Sequence, residues 1–166
     1  MEPYRLRRWN ERSSTDRLAF YTCARPGRSK GKSGDVADEV VYKWLQNLPQ
    51  GEKVAIVSLL GWKPNGMSEF SFYSFCGAWE SPEERRRRPT FAEWIAESNQ
   101  DRPMKVVEHP TEDYEPVKPR ILDAVERDVH RLLEHGWTVI LVDSGGETRT
   151  KQVCSHLQFV EDSRRP

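Results

Sequence analysis

The run Asp143-Ser144-Gly145-Gly146-Glu147-Thr148-Arg149-Thr150 gathers residue types suited to holding an oxyanion. It follows the apolar stretch Thr138–Val142 and precedes a segment that places Val153, His156 and Leu157 at helical spacing. Strand, loop and helix are therefore expected in that order. A loop that leaves a parallel strand and enters a helix N-terminus aims several N–H groups at one point. The helix dipole adds partial positive charge there. Gly145 and Gly146 permit the close backbone approach that such a nest needs. Arg149 contributes a planar fork matched to two phosphate oxygens. The predicted anion-binding set is Ser144, Gly145, Gly146, Glu147, Thr148 and Arg149. The alternative is a tight turn whose Arg149 pairs with a nearby carboxylate.

Other reactive residue types carry weaker signals. Arg25–Gly34 is rich in Gly, Lys and Arg, but Gly27 and Gly31 lie too close for the G-x4-G-K-[ST] phosphate loop, so a solvated basic loop is expected. Arg85–Arg88 is a run of four arginines, read as a solvated connection or as a patch for a phosphorylated partner. The three cysteines, Cys23, Cys76 and Cys154, are odd in number and share no metal-ligand spacing, which favours reduced thiols over disulfides. His109, His130, His135 and His156 form no ligand pattern. No metal and no cofactor is expected.

The elements that must position these residues follow from periodicity. Leu18–Cys23 reads as a short strand. A helix is expected over about Asp35–Leu48, with Val36, Val40, Trp44 and Leu48 on one stripe and Pro49 ending it. Lys53–Leu60 is a continuous apolar run, the mark of a strand covered on both faces. Phe70, Phe72, Tyr73 and Phe75 lie in an aromatic segment of open type. Thr90 and Glu93 form a capping box for a helix carrying Trp94 and Ile95. Met104–Val107 reads as a strand and His109–Pro119 as an acidic loop. Ile121–His135 is an amphipathic helix, with Leu122, Val125, Val129, Leu132 and Leu133 facing inward and Gly136 as its stop. Strands alternating with helices predict an α/β fold, a three-layer sandwich with a largely parallel central sheet flanked by helices. Residues 1–17 are polar and Arg-rich and are expected to form a basic arm, with a single domain over 18–166.

Composition bounds the partners. Charged residues make up 31%, but 26 basic and 26 acidic side chains cancel, so nothing pulls the chain as a whole toward nucleic acid or an anionic membrane. No apolar run is long enough to span a bilayer and no signal-peptide pattern opens the chain, so a cytoplasmic protein is expected.

The 143–150 segment resembles the signature loop of the protein tyrosine and dual-specificity phosphatases, His-Cys-x-x-Gly-x-x-Arg-Ser/Thr. Gly146, Arg149 and Thr150 match in register, while Val142 stands where the family has His and Asp143 where it has the nucleophilic Cys. The resemblance implies a phosphatase-like fold and phosphoryl chemistry at this loop. It also implies a general acid on an upstream loop: Asp113, within His109-Pro110-Thr111-Glu112-Asp113, lies thirty positions ahead of Asp143. Asp113 can equally be a turn cap ahead of Pro116. The site residues carried over are Asp113, Asp143, Arg149 and Thr150.

The departure at 143 sets the function expected. The family's reaction needs a thiolate that forms a phosphocysteine. A carboxylate in that place supplies the negative charge the N–H groups seek, and repels an incoming phosphate by about 4 kcal/mol per charge pair at 4 Å and a dielectric near 20. Asp143 is expected to occupy the cradle itself, beside Arg149. Aspartyl-phosphate chemistry would call for Mg²⁺ held by a second carboxylate, and Gly145 stands at the natural position for it. The expectation is a pseudophosphatase, a module that binds an anion or a phosphorylated protein or small molecule. The rivals are an active phosphatase, through a natural cysteine replaced at 143 or through Asp-dependent chemistry, and an interaction domain that binds phosphorylated partners through its Arg-rich segments.

Overall fold

The structure, a computed structural model, describes residues 6–9, 19–25, 44–49, 53–61, 91–98, 103–112, 115–143 and 148–164. Five strands form one sheet: β1 (Arg7–Trp9), β2 (Phe20–Ala24), β3 (Val54–Ser58), β4 (Met104–Glu108) and β5 (Thr138–Asp143). Its order is β1-β2-β5-β3-β4. The β2–β5, β5–β3 and β3–β4 pairs are parallel, and β1 runs antiparallel on the edge. Besides the helical residues 44–46, three helices accompany the sheet among the described residues: α1 (Phe91–Ser98), α2 (Pro119–Glu134) and α3 (Thr148–Arg164). The chain is thus an α/β protein with a mostly parallel sheet.

The central strands are those whose sequence is apolar without alternation. Every residue of β3 is buried, and so is all of β5 after Thr138. Alternate side chains of these strands feed two separate cores. Val54, Ile56, Ile140 and Val142 pack with Trp44, Leu45, Leu48 and Ile95. Ala55, Val57, Val139 and Leu141 pack with Val125, Val129 and Leu132 of α2 and with Val153 and Leu157 of α3. Each fully buried aliphatic side chain of this kind contributes about 1.5–3 kcal/mol.

The ends of α2 follow from local chemistry. Pro119 opens the helix, where its missing N–H costs nothing. At the other end His135 caps the helix and Gly136 takes φ +81°, a left-handed conformation that suits glycine. His135 Nδ1 lies 2.7 Å from the Arg131 carbonyl oxygen.

Several boundaries differ from those read in the sequence. Residues 7–9, placed in a basic arm, pair with β2 as a strand, because a three-residue edge strand carries too little periodicity to register. β5 extends one residue further than its apolar run and includes Asp143, and α3 begins at Thr148, inside the run read as the loop. α2 begins at Pro119, two residues ahead of its apolar stripe. Of the helix expected over 35–48, only residues 44–48 are described, with 44–46 helical. The loop beyond Arg25, the aromatic segment at 70–75, Arg85–Arg88, Thr90, Asp113 and Ser144–Glu147 lie outside the described residues.

Candidate functional site

The parallel strands β2, β3, β4 and β5 end together, and their C-terminal ends build the site. The order of the sheet puts β5 between β2 and β3, so Asp143, the last residue of β5, pairs with Ala24 at the end of β2. The next backbone links hold these ends in place. Arg25 N–H donates to the Asp143 carbonyl at 3.0 Å, Leu59 N–H to the Val142 carbonyl at 2.8 Å, and His109 N–H to the Ser58 carbonyl at 2.8 Å. The carboxyl edge of a parallel sheet is where open α/β proteins place ligands.

Asp143 is 1% exposed. Its Oδ2 accepts a hydrogen bond from the backbone N–H of Thr150 at 2.9 Å. Thr150 lies in the first turn of α3, where N–H groups have no carbonyl partner within the helix and the dipole is positive. A fixed carboxylate therefore stands at the N-terminus of α3, the position at which an external anion would be bound. Thr150 is also buried, and its Oγ1 makes no hydrogen bond among the described residues.

Arg149 is buried as well, 4% exposed. Its side chain reaches across the carboxyl edge to the segments that follow β3 and β4. One terminal nitrogen donates to Thr111 Oγ1 at 2.9 Å and lies 3.5 Å from the Leu59 carbonyl oxygen. Thr111 Oγ1 donates in turn to the same carbonyl at 2.6 Å. Gly61 packs so closely on this segment that a Cβ there would fall 1.8 Å from the Thr111 carbonyl oxygen.

The chain matches no family model, no characterised protein and no solved structure. The site is thus argued from its own geometry.

Among the residues singled out in the sequence, the structure brings Asp143, Arg149 and Thr150 together at one end of the sheet. Thr148, the first residue of α3, is exposed. Asp113 and the anion-loop positions Ser144, Gly145, Gly146 and Glu147 lie outside the described residues. Sequence reading missed Thr111, Leu59 and Gly61. Thr111 carries the one usable signal, a hydroxyl inside an otherwise acidic loop. The contribution of Leu59 is a backbone carbonyl, which no side-chain pattern reveals. Arg25, assigned to a solvated basic loop, is 3% exposed and adjoins the Asp143 backbone instead.

Two thiols flank the carboxylate, and neither is suited to nucleophilic attack. Burial, joined by the charge of Asp143, raises the pKa of Cys23 and of Cys154 to about 12. Each is 1% exposed, so both remain neutral thiols at physiological pH. The histidines serve elsewhere. His109 pairs with Asp128 at 2.6 Å, His130 with Glu126 at 3.2 Å and Glu161 at 3.5 Å, and His156 with Asp123 at 3.2 Å. No cluster of three metal-ligating side chains is found among the described residues. No helix among them is long and apolar enough to cross a membrane.

Proposed function

We propose that this chain is a phosphatase-like, three-layer α/β protein that has exchanged thiol catalysis for a binding or regulatory role. One observation carries the proposal: a buried carboxylate, Asp143, is bound by the N-terminal amide of α3, in the register where the tyrosine and dual-specificity phosphatases keep their nucleophilic cysteine. The resemblance in the 143–150 loop, the burial of Arg149 at the same edge, and the order strand, loop, helix all support it.

The chemistry follows from what a carboxylate can and cannot do there. A thiolate attacks phosphorus and leaves again as a stabilised anion, whereas Asp143 is held by Thr150 N–H as an internal ligand of the helix dipole. Phosphate entering the same cradle would meet a like charge. The wild-type chain therefore binds free phosphate weakly, and its natural ligand is a phosphorylated protein or small molecule that contributes contacts beyond the phosphate itself. In this proposal the protein is cytoplasmic.

The test is turnover of an aryl phosphate by the purified chain, with and without Mg²⁺. The expected result is no turnover above the uncatalysed rate in either condition. Robust hydrolysis abolished by Asp143→Asn would overturn the proposal in favour of an aspartate-dependent enzyme. Activity gained by Asp143→Cys would agree with a phosphatase scaffold whose nucleophile alone is missing.

A further inference from the structure

The amino ends of the strands, opposite the edge that carries Asp143, border a cavity of about 400 Å³. That volume lies in the range of small-molecule sites, about 300–1,000 Å³. Register gathers its walls. Arg8 of β1 and Tyr21 of β2 are direct partners in the antiparallel pair, so their side chains stand on one face of the sheet. Tyr21 pairs with Ile140 of β5, which brings Ala19, two residues earlier, alongside Thr138. Pro49 closes the same end from the segment that carries Trp44, Leu45 and Leu48, and Tyr21 packs partly on the core those residues form. Trp137, which also lines the cavity, is held from behind. Its N–H donates to the Leu132 carbonyl at 3.0 Å. Lys53 Nζ, bound to the His135 carbonyl at 2.8 Å, lies 5.2 Å from its ring centroid. These walls are in place before any ligand arrives.

The chemistry of the lining is one-sided. No carboxylate borders the cavity, and Arg8 is the permanent charge there. Arg8 makes no ion pair among the described residues, and the Tyr21 and Thr138 hydroxyls make no hydrogen bond among them. A guanidinium only donates, in a fork that matches the two oxygens of one carboxylate, whereas hydroxyls can donate or accept. The complement is a single negative charge on a body that carries polar groups of its own.

We propose that this cavity binds a small hydroxylated carboxylate, with Arg8 on the carboxylate and the Tyr21 and Thr138 hydroxyls on the hydroxyl groups of the ligand. The site uses none of the residues at the carboxyl edge, so it does not depend on the function proposed for Asp143.

The test is an NMR titration of the isotopically labelled full chain with glucuronate, and with glucose, which has the hydroxyls without the charge. Glucuronate should give saturable shifts of the Ala19, Tyr21, Trp137 and Thr138 amides and leave those of Thr148, Arg149 and Thr150 unmoved. Glucose should give no saturable shift. Arg8→Gln should weaken glucuronate binding about tenfold, through loss of a charged contact, and Tyr21→Phe about threefold, through loss of a neutral one. Arg8 is exposed on an edge strand, so its replacement leaves the fold intact, which the β3 and β5 amides of the same spectra check. The proposal is overturned by the absence of a saturable shift with glucuronate in the wild-type chain, or by shifts confined to residues 148–150. Glucose binding as tight as that of glucuronate, or unchanged affinity in a folded Arg8→Gln chain, would overturn it equally.

Discussion

A carboxylate with 1% of its surface exposed is costly to bury unless it is compensated, and Asp143 takes part of its compensation from the Thr150 amide. The bond therefore serves two purposes: it satisfies an N–H that α3 cannot satisfy internally, and it keeps a negative charge away from water. Removing the acceptor should cost more than removing the charge. Asp143→Ala is expected to lower stability by about 1–3 kcal/mol, since it strands a buried donor. Asp143→Asn, which can still offer a carbonyl oxygen to Thr150, should cost less. Chemical denaturation of the two variants checks the order, and an Asn variant at least as unstable as the Ala variant would contradict it. The two neighbouring thiols make a second prediction at this scale. Held neutral and buried, Cys23 and Cys154 should resist iodoacetamide at neutral pH and become labelled only after unfolding, as read by peptide mass spectrometry. The sequence singled out Asp143, Arg149 and Thr150 as candidate site residues because a loop motif is local. It did not disclose Thr111, whose partner Arg149 lies 38 positions away and meets it only once the sheet is formed.

At the scale of elements, two glycines separate two kinds of constraint. Gly136 ends α2 with φ +81° and has nothing within 4 Å of an added Cβ, so its cost on substitution is conformational. Gly136→Ala should lower stability by roughly 1–2 kcal/mol, the ordinary penalty for a side chain in left-handed backbone. Gly61 has no such φ, but its added Cβ would lie 1.8 Å from the Thr111 carbonyl oxygen and 2.8 Å from its carbon. Backbone would have to move, so Gly61→Ala is expected to cost more than Gly136→Ala and to disturb Arg149, while Gly136→Ala leaves that residue alone. Thermal melts with the Arg149 NMR signal as reporter check both parts. Gly136 was legible as a helix stop because its signal is local: the apolar stripe ends just before it. Gly61 was not, because its neighbour comes from the segment after β4. The same contrast explains the strands. β3 and β5 were visible as unbroken apolar runs, which only a strand covered on both faces requires. β1 was not, since Arg7-Arg8-Trp9 becomes a strand only by pairing with β2.

For the molecule as a whole, the parallel sheet gathers the candidate site from four strand ends, and β5 between β2 and β3 gives Asp143 its central place. The alternation of strands and helices carried the α/β class and the parallel sheet, whereas strand order depended on long-range pairing that no single segment encodes. Global stability should also register the buried thiols. Cys23 and Cys154 keep their protons to about pH 12 in the native state, against 9.0 ordinarily, so between those values the unfolded chain holds fewer protons. Stability is then lost as pH rises above about 9 and is undiminished by these groups below it. Replacing both thiols with Ala should flatten that alkaline decline in denaturation midpoints. The central claim, that Asp143 fills the place of a bound anion, is tested most directly by equilibrium binding of inorganic phosphate to the wild-type and Asp143→Asn chains under identical conditions. Relief of a like-charge repulsion of several kcal/mol predicts at least about tenfold tighter binding by the Asn chain. Wild-type affinity equal to or greater than that of Asp143→Asn would contradict it.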